Sequence, residues 1–273
     1  MIISAATAMD RELNLLMKNI TGDVSAVAGW LWQRGWAERN AGNISVRLAA
    51  EELPSLPEEP STLLPLPGRC ESLAGFHFLV TATNTRMRDV AARPLETLLL
   101  IRISDDGTGY QIVSPTGETD LRPTSEMQAH LCIHEMLTLR RPDHRVVMHT
   151  HVTELIALTQ IRELCDAQKL NSILLGMHPE TKVFIPDGVG FVPYILPGTR
   201  AIGEATVKAL EDHSAALWEK HGLFATGRDS LETFDMIDIL AKSASIWFIC
   251  RSAGYEPEGL TEKQLNELAK LKF

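Results

Sequence analysis

The sequence Val146-Val147-Met148-His149-Thr150-His151 predicts a buried strand that ends in two histidines one position apart. Successive side chains on a strand point to opposite faces, so His149 and His151 are expected to project together while Thr150 points away. Two convergent imidazoles supply half of a tetrahedral site for zinc or a similar divalent ion. Two histidines at a strand end can also be ordinary polar residues, so the metal interpretation depends on the rest of the chain.

Length and charge indicate a globular protein with a substantial core. The chain has 273 residues, enough for one large domain or two small ones. Its formal net charge of −9 argues against nucleic acid or an anionic membrane as the main partner, because both are strongly negative. A small phosphorylated substrate in a locally positive pocket is compatible with that charge.

The cysteines and the N-terminal residues exclude further classes of protein. The four cysteines are far apart and form no CxxC pair, so neither a disulfide framework nor a thiolate zinc site is indicated. The N-terminal residues carry charges early and lack the apolar segment of a signal peptide. No run approaches the roughly 18 apolar residues of a membrane span. We therefore expect a soluble, cytoplasmic protein with no membrane partner.

A tryptophan-rich helical pattern begins at Asp23, a residue able to cap the helix, and ends in the turn-forming residues 39–43 (RNAGN). Residues 44–48 then alternate as in a half-buried strand. The turn is explained by a helix-to-strand corner alone. It also offers backbone N–H groups and the amides of Asn40 and Asn43 to an anion, and the sequence leaves both interpretations open.

An acidic, proline-rich segment at about residues 51–68 is predicted to be an exposed insertion in a single domain spanning residues 1–273. Strand-like sequence resumes directly after it, which argues against an interdomain linker. Residues 76–80 form that next strand, and a hydroxyl-rich turn containing Thr83 follows. Residues 105–109 (DDGTG), between two further apolar runs, predict a hairpin.

The sequence Pro-Thr-Ser-Glu at residues 123–126 precedes a helical stretch. Ser125, with Gln128 three residues later, matches a capping box, which accounts for this serine structurally. The same start places Glu126 in the first helical turn, where uncommitted backbone N–H groups can hold an anion.

Three more histidines are candidate metal ligands. His130 and His134 are four residues apart on the predicted helix, but no glutamate lies between them as in a helical zinc motif, so they rank below the strand pair. His221 lies at a predicted strand end, and the following Gly222 would allow a close backbone approach. His221 is therefore the candidate third ligand.

The remaining sequence alternates between predicted helices and strands. Helices are expected at residues 154–164, 170–177, 201–212 (capped by Thr199), 230–252 and 261–271, and a strand at 182–185 after a break at 178–180. This alternation predicts one α/β domain.

Taken in order, these motifs resemble the class II aldolase and adducin family over about residues 23–252. The motifs are Gly-Asn-x-Ser from Gly42, Pro-Thr-Ser-Glu from Pro123, His-Thr-His from His149 and His-Gly from His221. Residues 39–43, 151–159, 184–193, 197–199 and 221–224 resemble one aldolase subgroup of this family in particular. The resemblance implies a mainly antiparallel central sheet flanked by helices, and a cyclic homotetramer with active sites near the subunit interfaces.

Carried over position by position, the resemblance implies one zinc ion per subunit, bound by His149, His151 and His221. It implies that Glu126 is the catalytic acid/base and that Glu180 lies near the active site, as a candidate for a second base. The residues expected around the substrate phosphate are Asn40, Asn43, Thr83, Thr124 and Ser125. The family often has glycine where this chain has Asn84, whose backbone is expected to bind phosphate only in a left-handed conformation.

The chemistry implied by the resemblance is cleavage of a ketose 1-phosphate between C3 and C4, which releases dihydroxyacetone phosphate and an aldehyde. Zinc held by three neutral imidazoles keeps its full charge and open positions, and would stabilise the resulting carbanion as an enediolate. Glu126 would exchange the proton at C3. Fuculose-phosphate aldolases, pentulose-phosphate 4-epimerases and sugar-phosphate dehydratases share these residues. A non-catalytic adducin-like module is the alternative from another class of protein.

Overall fold

Nine strands form one sheet in the computed structural model, which describes residues 18–49, 52–53, 62–113 and 120–271. In chain order they are β1 (Asn43–Arg47), β2 (Leu64–Pro65), β3 (His77–Thr81), β4 (Leu98–Ile103), β5 (Gly109–Ile112), β6 (Val146–Thr150), β7 (Val189–Val192), β8 (Ala215–Trp218) and β9 (Gly222–Gly227). Their order across the sheet is β2-β5-β4-β3-β1-β6-β9-β8-β7, and only β7 and β8 pair in parallel among these strands. The predicted α/β fold with a mainly antiparallel central sheet is confirmed.

Helices cover both faces of this sheet. They are α1 (Lys18–Gln33), α2 (Met87–Ala92), α3 (Pro94–Thr97), α4 (Met127–Arg140), α5 (Thr153–Leu158), α6 (Ala167–Leu174), α7 (Pro179–Phe184), α8 (Arg200–Leu210), α9 (Ser230–Ser252) and α10 (Glu262–Leu268). Across the described ranges, none of them is both long and apolar enough to cross a membrane.

Strand β6 is buried on both faces, which explains its continuous apolar run. Val146 and Met148 pack into a core that includes residues of α1, α5 and α9. Val147 points to the other face and packs in a second core with Ile133 and Leu137 of α4. Complete burial of one such side chain contributes about 1.5–3 kcal/mol. Hydrophobic burial therefore fixes the register of β6, and a slip by one residue would turn its histidine to the opposite face.

The neighbours of β6 bring distant polar residues together. Asn43 of β1 pairs with His149 across one side of β6, and Phe224 of β9 pairs with His149 across the other. Ser45 lies two positions after Asn43 and pairs with Val147. Asn43, Ser45 and His149 consequently face the same side of the sheet, toward α4.

The strand predicted at residues 182–185 is wrong, because this segment belongs mostly to helix α7. Pro179 occupies the first helical positions, where its fixed φ favours the helix, and His178 precedes it in an extended conformation. The helix is anchored to α9 by a hydrogen bond of 2.6 Å between the hydroxyls of Thr181 and Ser243. That tertiary contact outweighs the β-branched and aromatic character of Val183 and Phe184.

Other predicted boundaries are confirmed or shifted. Helix α9 has the predicted bounds, and the Thr199 hydroxyl caps α8 by accepting from the Ile202 N–H. Asp23 lies inside α1 instead of capping it. Residues 51 and 54–61 of the proline-rich segment at 51–68 lie outside the described residues, so the exposed insertion stays a prediction there, while the described residues 62–68 contain the edge strand β2.

Candidate metal centre and active site

A cavity of about 450 Å³ opens where three segments and three histidines meet. The segments are residues 38–43 before β1, residues 81–85 after β3 and residues 124–126 before α4, and the histidines are His149, His151 and His221. The cavity thus unites the separate motifs of the sequence at one end of the central strands.

The three histidines converge, as their placement in the sequence predicts. A potential ligand nitrogen of each lies within 4.8 Å of those of the other two. The Nδ1–H of His149 donates to the Leu223 carbonyl at 3.1 Å, and the Nδ1–H of His151 donates to the Glu38 carboxylate at 2.7 Å. These bonds fix both ring orientations and leave Nε2 of each neutral ring as the lone-pair donor, which is the usual arrangement of metal-ligating histidine.

Burial favours the neutral, metal-binding form of two of these histidines. The pKa of His149 is lowered well below its ordinary value, first by burial and then by His151 and His221. Burial likewise lowers the pKa of His221, although Glu126 opposes the shift. Nε2 of His149 and Nδ1 of His221 are buried without a hydrogen-bond partner in the described part of the chain. Three convergent imidazoles, two of them with unsatisfied ring nitrogens, fit a divalent metal ion.

Gly222 allows the triad to close, as its place next to His221 predicts. A Cβ atom at this position would lie 2.6 Å from the Thr150 carbonyl oxygen and 2.9 Å from Cε1 of His149. Any larger residue would therefore push β9 away from the end of β6, and His221 with it.

Glu126 lies beside the triad and, unlike Glu38, is almost completely buried. Its Oε2 accepts a hydrogen bond of 2.8 Å from the Asn43 amide and lies 3.5 Å from Nε2 of His149. Its Oε1 lies 3.9 Å from Nε2 of His221. A carboxylate beside the triad and inside a cavity can exchange a proton with a molecule bound there.

The predicted capping box at this helix is wrong. Helix α4 begins at Met127, so that Glu126 and not Ser125 occupies the N-cap position, and no side chain there makes a capping bond. The Thr124 hydroxyl instead accepts from the Glu126 N–H at 3.3 Å. Ser125 is consequently left exposed at the cavity and free of a structural role in the helix start.

The residues predicted to surround a phosphate line the same cavity, but they are not equivalent. The side chains of Asn40, Thr83 and Ser125 make no hydrogen bond to other described residues, so their donors are uncommitted. Thr124 supports the Glu126 backbone. Asn43 is committed at both ends of its amide, to Glu126 and to His130.

Asn84 adopts the left-handed conformation that phosphate binding through its backbone would require, with φ of 61°. Asparagine tolerates this region better than most residues because its side chain is short and polar. The turn therefore has the backbone geometry expected of a family member with glycine at this position.

Two residues of the cavity were missed by the sequence reasoning. Arg39 is the one side chain with a permanent positive charge among the described residues that line it. Glu38 holds His151. Both flank the asparagine-rich turn, but a charged residue at the end of a helix gives no signal that distinguishes it from ordinary surface polarity.

Glu180 and the second histidine pair lie elsewhere. Glu180 does not line the cavity, and its carboxylate accepts a hydrogen bond of 2.7 Å from His178 at the start of α7. This contact also lowers the pKa of Glu180. Its position in one subunit therefore does not bring it to the triad. His130 and His134 are completely buried beneath Asn43 and Ser45 rather than directed at the cavity.

Comparison with known proteins gives a family match over most of the chain. The family model described as "Class II Aldolase and Adducin N-terminal domain" matches residues 22–248. The chain is 39% identical to the rhamnulose-1-phosphate aldolase of Bacteroides thetaiotaomicron, across 98% of this chain and 96% of the relative. It is 36% identical to the rhamnulose-1-phosphate aldolase of Pectobacterium carotovorum, across 88% of each chain.

Among solved structures, the chain is similar to a sugar-phosphate aldolase from Thermotoga maritima. The TM-score is 0.75 with 33% sequence identity, over 89% of this chain and 99% of that one. Sequence and fold comparisons therefore point to the same group of proteins.

Proposed function

Since the chain belongs to the class II aldolase and adducin family, we propose that it is a metal-dependent aldolase that cleaves L-rhamnulose 1-phosphate into dihydroxyacetone phosphate and L-lactaldehyde. The proposed substrate rests on relatives of that name, of whose length this chain covers 96% and 88%. These relatives belong to the same aldolase subgroup that the sequence segments resemble.

The observation that carries the proposal is that one cavity is lined by two chemically distinct sets of residues. One set consists of the triad and Glu126, which suit the reacting carbons. The other holds the uncommitted donors of Asn40, Thr83 and Ser125, which suit a phosphate. A non-catalytic module has no physical need for this combination.

We propose that His149, His151 and His221 hold one zinc ion per subunit. Three neutral nitrogen ligands are typical of catalytic zinc sites. When bound, such an ion acts as a Lewis acid on substrate oxygen atoms and favours negative charge at the adjacent carbon. Glu38 and the Leu223 carbonyl orient two of the rings and so help to select the metal geometry.

Glu126 would transfer the proton at C3. In cleavage the C3–C4 bond breaks, the C4 hydroxyl loses its proton to water in the cavity as the aldehyde forms, and the Glu126 carboxyl delivers a proton to the carbanion left at C3 of dihydroxyacetone phosphate. In condensation Glu126 removes that C3 proton. The hydrogen bond from Asn43 holds one of its oxygens, and the carboxylate faces the cavity.

The phosphate would be bound by hydroxyl, amide and backbone donors, with Arg39 as the nearby positive charge. The N–H groups of Asn84 and Ser125 make no hydrogen bond to other described residues and add two backbone donors. Binding the phosphate at a distance from C3 and C4 positions the reacting atoms and so contributes to the rate.

We further propose a homotetramer located in the cytoplasm. Several large apolar side chains are exposed in the single subunit, among them Phe184, Tyr194, Leu196, Ile249 and Tyr255. Such residues are typical of surfaces that another subunit covers. Sedimentation equilibrium would test the assembly, and a monomer at micromolar concentration would contradict it.

The function is tested by cleavage assays on rhamnulose, fuculose and ribulose phosphates, with and without a chelator. We expect dihydroxyacetone phosphate to be released mainly from L-rhamnulose 1-phosphate, and only by metal-loaded protein. Preferential cleavage of the fuculose substrate would reassign the chain within the family. Epimerisation of the ribulose substrate without cleavage would indicate a pentulose-phosphate 4-epimerase. Full activity after complete metal removal would contradict the proposed chemistry.

A further inference from the structure

A line of buried polar side chains connects Glu126 to helix α4. The Asn43 amide donates to Glu126 at 2.8 Å, and its carbonyl oxygen is in short contact with Nε2 of His130. The Ser45 hydroxyl then lies 2.7 Å from Nδ1 of His130 and 2.8 Å from Nε2 of His134. We call Asn43, His130, Ser45 and His134 the buried relay.

The two-residue spacing of a strand and the four-residue spacing of a helix bring the relay residues together. Asn43 and Ser45 are two apart on β1 and share a face of the sheet, while His130 and His134 are four apart and share a face of α4. Ser45 and both histidines have 0% exposure, and Asn43 has 7%. Such an arrangement keeps all four residues of the buried relay out of water.

Hydrogen-bonding chemistry gives the relay one direction. An ionised Glu126 only accepts, so the Asn43 nitrogen faces it and the Asn43 oxygen faces His130. That oxygen also only accepts, so His130 carries its proton on Nε2. Burial lowers the pKa of His130 to about 3, which leaves Nδ1 bare at neutral pH.

The bare Nδ1 of His130 accepts from the Ser45 hydroxyl, and the serine oxygen in turn accepts from Nε2–H of His134. Each donor in the relay therefore points toward Glu126. Nδ1 of His134 is buried without a hydrogen-bond partner among the described residues, so the buried relay ends at His134.

We propose that the buried relay positions the Glu126 carboxylate for proton transfer, with His130 as the positioning residue that fixes the orientation of the Asn43 amide. This inference rests on the proposed aldolase function. Oε2 of Glu126 lies 3.5 Å from His149, so a freely rotating carboxylate could turn toward the metal ligands. The oriented amide holds that oxygen and leaves the carboxylate available as a base.

A pair of variants separates positioning from general stability. In His130→Gln the amide nitrogen can replace Nε2 and donate to Asn43, whereas the shorter side chain of His130→Asn can replace Nδ1 but does not reach Asn43. We expect His130→Asn to lower kcat for cleavage and the C3–H exchange rate roughly 10- to 100-fold, with KM and metal content unchanged. His130→Gln should recover most of both rates. Equal rates in the two variants would overturn the proposal.

Ser45→Ala and Ser243→Ala provide a matched control. Both hydroxyls are completely buried and make two hydrogen bonds, but Ser243 joins α7, α6 and α9 far from the relay. Comparable losses of thermal stability are expected, and only Ser45→Ala should also lower kcat. Unchanged kcat in folded, metal-loaded Ser45→Ala would contradict the relay.

A spectroscopic measurement on the unmutated protein needs no assumption about variants. Nitrogen-15 NMR of histidine-labelled, metal-loaded protein should show single Nε2–H tautomers for His130 and His134 from pH 5 to pH 8. A Nδ1–H proton on His130 would overturn the proposal even in an active enzyme. If the unmutated protein cleaves none of the sugar phosphates while these tautomers are observed, the proposed function fails and the geometry of the relay does not.

Discussion

Glu126 has two possible roles at the residue scale, and one substitution distinguishes them. Glu126→Gln keeps the size and the acceptor for Asn43, but it cannot exchange a proton as a carboxylate does. If Glu126 only stabilises the start of α4, its removal costs about 0.3–1 kcal/mol and leaves catalysis intact. If it is the base, we expect exchange of the C3 proton of dihydroxyacetone phosphate with deuterated solvent to fall by about 100-fold or more.

Proton NMR of dihydroxyacetone phosphate in deuterated buffer measures this exchange directly. The metal content and melting temperature of Glu126→Gln should match those of the unmutated protein. Exchange at the unmutated rate would return Glu126 to a structural role at the N-cap position.

Glu38 should control metal affinity without touching the metal. Its carboxylate orients His151 through a bond of 2.7 Å, and the loss of such outer partners lowers metal affinity by about 10- to 100-fold. We therefore expect Glu38→Ala to raise the dissociation constant for zinc by that factor, measured by competition with a chelating dye. Glu71→Ala removes a surface ion pair with Arg69 and should leave the constant unchanged. Equal affinities in both variants would mean that Glu38 does not orient the ligand.

The site residues differ in how well the sequence could predict them. His149 and His151 follow from strand alternation alone, since they are two positions apart at the end of an apolar run. Glu38 could not be found in this way, because its contact with His151 spans 113 positions. Asn43 was predicted as a phosphate ligand, whereas its amide is engaged by Glu126 and His130.

At the scale of elements, the approach of β9 to β6 depends on Gly222. We expect Gly222→Ala to lower zinc content strongly at limiting metal, because the added Cβ would clash with the Thr150 carbonyl and His149. Gly22→Ala is the control: it lies in α1 with nothing within 4 Å of the new atom, and alanine favours helix. Metal analysis after dialysis against sub-stoichiometric zinc measures the effect. Normal zinc content in a folded Gly222→Ala protein would refute this account.

The turn after β3 gives a second prediction about an element. Asn84 has φ of 61°, a conformation that costs most non-glycine residues about 1–2 kcal/mol. We expect Asn84→Gly to keep KM for the phosphorylated substrate and Asn84→Val to raise it, because valine would pull the backbone N–H out of place. The measurement is steady-state kinetics on L-rhamnulose 1-phosphate. Equal KM values in the two variants would exclude this turn from phosphate binding.

Predictions about elements failed where a tertiary contact overruled local sequence. Residues 182–185 look like a strand, but Pro179 and the Thr181–Ser243 bond make α7 a helix. The capping box at Ser125 failed because Glu126 takes the N-cap position and its side chain turns toward Asn43. The hydrogen bond from Asn43 to the Glu126 side chain therefore stands in place of a side-chain cap at this helix start.

At the scale of the whole molecule, the same burial that builds the sheet also prepares the site. Strands β1, β6 and β9 are adjacent near the middle of the sheet, where both faces are covered. His130, His134 and His149 are therefore out of water and neutral. Alternating helices and strands predicted the α/β class. The strand order depends on pairings between residues far apart in sequence, such as His149 of β6 with Phe224 of β9.

These buried histidines predict a specific acid sensitivity. Their pKa values in the folded protein are lowered by burial, to about 3 for His130, whereas unfolding returns each to about 6.5. The unfolded state then binds more protons, so stability rises with pH and is lost as pH falls below about 6.5. Each histidine adds a slope of about 1.4 kcal/mol per pH unit, until the pH reaches its folded pKa.

His134→Gln tests this linkage in the metal-free protein, because glutamine can still donate to Ser45 but does not titrate. Urea unfolding at constant protein concentration, repeated between pH 5.5 and pH 4.5, should show a slope of stability against pH smaller by about 1.4 kcal/mol per unit than in the unmutated protein. Thr138→Ala, on the same helix and hydrogen-bonded only to helix carbonyls, should change stability without changing the slope. An unchanged slope in His134→Gln would mean that His134 is already protonated when folded, and the neutral, buried state assigned to His134 would then be wrong.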